Sequence, residues 1–247
     1  MSQPRENWWA EVTAVLVKDF RSELRTKSAV STLLMFALVS MVVVSHFVTT
    51  TGPGLTSDYV VNAQGEQELR TIAMTNARAI LLSALYWIIL YFSAMAALPR
   101  VFVKEEEMRT AGALRLAARP SAVFAGKLLF NTALLVTVSL LLLPLWLLFF
   151  NFQVRDWVVL VSNLVAGAAA MAGTATVIGA IVARASNRGH LMVVLGFGPL
   201  LPILILGMLG TAAGLHREYG NNLLPMVSYL VAMTTLSGLL FDRVWSD

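Results

Sequence analysis

The chain contains no cysteine, so disulfides, thiolate metal sites and cysteine catalysis are excluded outright. Charge is scarce: Asp, Glu, Lys and Arg make up 13% of the residues, against about 25% in a soluble domain. The three histidines, His46, His190 and His216, stand far apart, with no HExxH and no carboxylate at ligand spacing. No GxxxxGK[ST] is present, so the chain has no phosphate-cradling loop of its own. No nucleophile and base are paired in a catalytic spacing, which argues against an integral-membrane enzyme. No charge is expected deep inside an apolar run, which argues against an ion-coupled carrier.

What is abundant is oil. Of 247 residues, 57% are hydrophobic and mean hydropathy is +0.73. Six apolar runs are each close to the roughly 20 residues that cross hydrocarbon. They are expected at Ala29–Val48, Ala79–Pro99, Leu128–Phe150, Trp157–Ala183, Leu191–Thr211 and Asn222–Phe241. The expected fold is therefore all-α, a polytopic membrane protein with six transmembrane helices. The net charge of +4 reflects basic residues shared among short loops rather than a nucleic-acid-binding patch. Arg5, Lys18, Arg21, Arg25, Lys27, Arg100, Lys104, Arg109, Arg115, Arg119, Lys127, Arg184, Arg188 and Arg243 fall on one side. Only Arg70, Arg78, Arg155 and Arg217 fall on the other. The positive-inside rule then puts both termini in the cytoplasm. Trp146 and Trp157 would mark the outer interface.

Residues 1–28 read as an N-terminal interfacial amphipathic helix, and 29–247 as a six-span domain. Trp8, Trp9, Val12, Val15, Leu16 and Phe20 share one helical side, and Glu11, Lys18, Arg21 and Arg25 the other. The alternative is an amphipathic helix packed on another subunit. The fourth run has small-xxx-small steps, Ala169/Gly173 and Ala175/Gly179, which allow close helix contact in lipid. The fifth contains Pro199 and Pro202, which should kink or break it. The outer loop Thr49–Arg78, with a helical segment at Glu66–Asn76, has no assigned role.

The most charged long stretch is Arg100–Lys127, between spans two and three. Its middle reads as one short cytoplasmic helix. Glu105, Glu106 and Glu107 open it and Arg115 and Arg119 close it, as the helix dipole favours. Glu105 and Arg109 stand at ion-pair spacing, and Pro120 ends the helix. Met108, Ala111, Leu114 and Ala118 line one side. Such an element suits docking by a partner; the alternative is a solvated basic loop that only fixes topology. Lacking a motor, a six-span chain with this handle needs one from elsewhere.

This arrangement resembles the membrane subunits of ABC-2-type ABC exporters, and within them the B subunit of cytochrome c maturation, the haem exporter. Three stretches carry the likeness: KDFRSELRTK (Lys18–Lys27) before the first span, EEEMRTAGALRLAARPSAVFAGKLLFN (Glu105–Asn131), and LGFGPLLPILILG (Leu195–Gly207). The likeness runs from about Asp19 to Phe241, with the long outer loop as a departure. It implies a permease subunit in the bacterial inner membrane, serving haem export and cytochrome c biogenesis. It further implies a separate ABC ATPase subunit that binds the ATP, a second copy of this chain, a haem-handling membrane subunit and a periplasmic haem chaperone. The coupling residues implied are Glu105, Glu106, Glu107, Arg109, Gly112, Leu114, Arg115, Arg119 and Pro120. No haem-binding motif is visible, and no cofactor is expected on this chain. His46 and His216, near the outer face, are the candidate contacts for a handled haem. An ABC-2 permease for a lipid, drug or glycan, and a non-transporting structural subunit, stand as the alternatives.

Overall fold

The computed structural model describes residues 7–51, 66–98, 100–151, 154–183, 188–215 and 223–246. Among these there is no strand. The helices are α1 (Trp8–Thr26), α2 (Ser28–Thr51), α3 (Glu66–Ala97), α4 (Arg100–Glu107), α5 (Ala111–Ala117), α6 (Pro120–Phe150), α7 (Trp157–Ala183), α8 (Arg188–Leu215) and α9 (Leu223–Ser246). Six of them, α2, α3, α6, α7, α8 and α9, are long and apolar enough to cross a membrane. The segment Glu66–Asn76 is helical and continuous with the second span, in one helix of 32 residues. The prolines of the fifth span do not interrupt α8, which runs unbroken from Arg188 to Leu215. The carbonyl of Pro199 instead accepts the Tyr229 hydroxyl of α9 at 2.5 Å.

The bundle is built around α7. Its most apolar window is 83% buried, against 28% for α2 and 11% for α9, so α7 is the centre and the other two are the rim. Helices α6, α8 and α9 all pack on it. Small residues permit this, because in lipid close backbone approach and dispersion replace the hydrophobic drive. One contact shows how tight the fit is. Trp87 of α3 is fully buried between Gly167 of α7 and Gly207 of α8. A Cβ at Gly167 would lie 2.2 Å from Trp87 Cη2, and one at Gly207 2.4 Å from Cε2.

Interhelical hydrogen bonds engage several of the polar groups that enter this core, while Ser83 Oγ, Asn131 Oδ1 and Asn163 Oδ1 are buried with no hydrogen-bond partner among the described residues. Trp87 Nε1 donates to Thr211 Oγ1 at 2.9 Å, and Asn163 Nδ2 donates to the Gly207 carbonyl at 3.0 Å. Asn131 Nδ2 donates to Thr176 Oγ1 at 2.9 Å, joining α6 to α7. Tyr86 gives its hydroxyl proton to the Ser139 carbonyl at 2.6 Å. Trp146, expected at an interface, is instead buried against Tyr86 and Phe150. Trp157 is 56% exposed.

Gly167→Ala and Gly207→Ala should each destabilise the fold by about 1–3 kcal/mol, the usual range for overpacking a filled core. Trp87→Phe removes the indole N–H and part of the ring, and should restore much of the loss when combined with Gly207→Ala. Reversible unfolding in mixed detergent micelles measures both effects; a double variant no better than the single one would contradict this packing.

Candidate functional site

The charged stretch between the second and third spans is not one helix. It forms α4 and α5, separated at Met108–Thr110. Arg109 takes a left-handed conformation, φ 55°, and the Thr110 N–H closes back on the Glu105 carbonyl at 2.9 Å. The chain then restarts at Ala111. Glu105 to Glu107 therefore end α4 rather than open a helix. Pro120 likewise begins α6 rather than ending a helix. Its lost N–H is harmless at the first position, and Arg119 before it is extended (φ −66°, ψ 147°), as a residue preceding proline prefers. The helix of the third span thus starts at Pro120, not Leu128, and includes Lys127.

That shift changes what Lys127 is. Its side chain is fully buried, so a charge lies inside a helix expected to have none. A buried ammonium is costly unless paired and hydrogen-bonded. Lys127 Nζ donates to Glu105 Oε1 at 2.8 Å and to Asp19 Oδ2 at 3.2 Å. It also sits 4.9 Å from the centroid of the Phe102 ring, close enough for a cation–π contribution. Lys18 closes the circuit: it pairs with Asp19 Oδ1 at 3.2 Å and bonds Glu105 Oε1. Two carboxylates and two ammoniums alternate in a neutral ring. Its members come from α1, α4 and α6. Glu105, expected to pair with Arg109 and to face solvent, is buried in this ring.

The rest of α1 is held alongside. Glu11 accepts the backbone N–H of Arg119 at 2.9 Å and pairs with its guanidinium at 3.4 Å. Trp8 Nε1 donates to Ser121 Oγ at 3.2 Å, and the Phe20 and Phe130 rings meet edge to face at 5.2 Å. Val12 and Val15 are buried, and a Cβ on Gly126 would lie 2.8 Å from Val15 Cβ. So α1 packs on the third span of its own chain, and its polar side is engaged through Glu11 with Arg119 and through Lys18 with Glu105 of α4. Its buried line reads Val12, Val15, Asp19, at spacings of three and four. A carboxylate within an apolar stripe was the available signal that a buried cation must face it. Lys127 is expected from the sequence as a cytoplasmic lysine entering the third span, and Asp19 has no expected role; the structure pairs the two.

The other expected residues separate from the ring. Arg109, Gly112, Arg115 and Arg119 are exposed, and Leu114 is half-buried. The backbones of Glu106 and Glu107 complete α4, while their side chains lie outside the described residues. His46 is exposed on α2, and His216 lies outside the described residues. Among the described residues no three His, Cys, Asp or Glu come together as a metal site. The ring has no cleft nucleophile and no reactive geometry. What it can do is mechanical: it ties three segments distant in sequence.

Burial alone would raise the Glu105 carboxyl, but Lys127 and Lys18, by charge and hydrogen bond, bring it below the ordinary carboxylate range. Stability from a carboxyl lowered on folding is complete above its unfolded value and is lost as pH falls through the folded one. Burial likewise lowers Lys18, yet Asp19 and Glu105 reverse this and leave it raised. Its contribution therefore holds until pH climbs past the ordinary lysine range. The thermal midpoint of the detergent-solubilised protein should fall on acidification, with a limb that Glu105→Gln flattens. Lys127→Met should cost about 3–5 kcal/mol, the range for removing one partner of a buried pair. Adding Glu105→Gln to Lys127→Met leaves Lys18 with Asp19 and should recover part of that loss. Strict additivity of the two substitutions would show that the ring is not a coupled unit.

Comparison with protein-family models matches residues 73–242 to the CcmB protein family. Comparison with curated proteins gives no match. The matched region takes in five of the six spans together with Glu105 and Lys127, but not Lys18 and Asp19 of α1. Since it covers well over half of the 247 residues, the chain belongs to the CcmB family, multi-span membrane components of haem transport in cytochrome c-type biogenesis.

Proposed function

We propose that this chain is the permease subunit of an ATP-driven complex in the bacterial inner membrane, with the ATPase on a separate subunit docking at α5. Family membership supports the membrane role in haem export and cytochrome c biogenesis. The observation that carries the docking reading is the exposure of apolar residues around α5. Leu116 is 92% exposed and Met108 68%. Both stand outside the span-forming segments, where lipid does not explain them. Arg109, Arg115 and Arg119, also exposed, are their neighbours along the chain, and apolar anchors together with arginines are the make-up of an interface hot spot.

In this reading the coupling residues divide by task. Arg109, Gly112, Arg115 and Arg119 face the partner, with Glu106 and Glu107 beside them. Leu114 seats α5, Pro120 starts the third span, and Glu105 links the docking segment to α1 and α6 through the ring. Closure of the ATPase on ATP would pull α5, and the ring would pass that displacement to the third span. Both termini and α5 lie in the cytoplasm. Residues 1–28 form an interfacial unit at the membrane surface, where exposed Trp9, Phe20 and Leu24 meet the headgroup region. Residues 29–247 form the six-span permease domain. A second copy of the chain completes the permease, and a haem-handling membrane subunit and a periplasmic haem chaperone receive the output. Haem is handled or released by the assembly, with no cofactor held by this chain.

Gentle extraction of the tagged chain should bring an ABC ATPase subunit with it. Arg115→Glu combined with Leu116→Asp should reduce that recovery at least about tenfold, since hot-spot losses reach 2 kcal/mol or more, and should lower cytochrome c levels. Undiminished ATPase recovery and normal cytochrome c in that variant would remove α5 as the docking element.

A further inference from the structure

At the end of the bundle where α1, α4 and α5 meet lies a cavity of about 760 Å³. Its walls are of two kinds. Val103, Leu114 and Phe130 give it an apolar side. Lys18, Asp19, Glu23 and Glu105 give it a charged one. The first residues of α2, Ser28 and Ala29, also border it, so it opens at the depth where the first span begins. An amphiphile with a charged head and an apolar tail matches both walls; a wholly polar solute or a bare hydrocarbon matches only one.

The charges specify the head. Asp19, Glu23, Glu105 and Lys18 border the cavity; Lys127 behind them makes the ring neutral, so Glu23 leaves the lining with one negative charge in excess. Glu105 already takes both of its lysine hydrogen bonds on Oε1. Its second oxygen, Oε2, is buried and has no hydrogen-bond partner among the described residues, and the whole side chain is only 9% exposed. Leaving a carboxylate oxygen buried without a donor is costly. A primary ammonium supplies up to three N–H donors, whereas a quaternary ammonium supplies none. Lys18, whose side chain is 45% exposed, has a third N–H beyond those given to Asp19 and Glu105 and can hold a phosphate.

We propose that this cavity binds a primary-ammonium phospholipid, phosphatidylethanolamine, taken from the surrounding bilayer. Its ammonium sits among Asp19, Glu23 and Glu105, its phosphate on Lys18, and a chain lies along Leu114 and Phe130. The lipid then fills the space beneath α5 and supports the segment on its α1 side. This site depends on the chain spanning a membrane and not on docking of an ATPase, so the two can fail separately.

The test is lipid exchange on the full-length chain purified with whatever partners accompany it. Equimolar dioleoyl phosphatidylethanolamine, phosphatidylcholine and phosphatidylglycerol are offered in mixed micelles, and retained lipid is counted by mass spectrometry. Phosphatidylethanolamine should be retained at least about fivefold over the other two. Ala113→Trp and Ala117→Trp, which place a bulky group at the cavity wall without touching the ring, should each abolish that preference in protein whose thermal midpoint is normal. Equal retention of ethanolamine and choline lipids by the unaltered protein overturns the ammonium assignment without any variant. Retention unchanged in a folded tryptophan variant overturns the cavity as the place of binding.

Discussion

A single ammonium, Lys127, sits where no water reaches it, and the architecture around it follows from that cost. Two carboxylates must be brought to it from other parts of the chain. Asp19 arrives on α1 and Glu105 on α4. Two carboxylates around one lysine would leave an excess negative charge, and Lys18 removes it. Each member is tolerable only because the others are present, so the ring behaves as one structural unit. Coulomb attraction is much stronger at low effective dielectric than in water. Separating Glu105 from Lys127 would leave both charges buried and unpaired, and that cost ties α4 to α1 and α6.

The ring also divides the connecting segment between spans two and three. Its α4 half is clamped, with Phe102 under Lys127 and against Phe241 of α9. Its α5 half stands out, with Leu116 and Met108 uncovered. An uncovered half joined to a clamped half is suited to receive a partner and to pass its motion inward. The cavity beneath α5 is bordered by Lys18, Asp19 and Glu105 of the ring and by Leu114 of α5.

Much of the fold was legible from one dimension. Hydropathy and length place six spans, and the fourth span starts and ends where the apolar run does, because its boundaries are set by composition alone. The small residues of α7 announced a packing helix, and it is the most buried of the six. Family membership, too, was legible in the loop and fifth-span motifs. The local punctuation was harder. Pro120 can end one helix or begin the next, and the choice depends on whether the residues before it continue a turn; here Ala118 and Arg119 are extended and they do not. Pro199 and Pro202 were expected to disturb α8, yet the helix continues, with Tyr229 bonded to the Pro199 carbonyl.

By itself, the amino-acid order determined that this chain lives in a bilayer, how often it crosses, and that it has no cysteine chemistry or phosphate loop. These follow from composition and length, which do not depend on neighbours. Only the tertiary structure decided which charges are buried. Lys18, Glu105 and Lys127 look like ordinary loop and surface charges in the sequence, and Asp19 alone is marked, by its place in the stripe of Val12 and Val15. They become a ring because helices remote in sequence converge at one end of the bundle, and which residues pair across that distance is not written in the chain's periodicity.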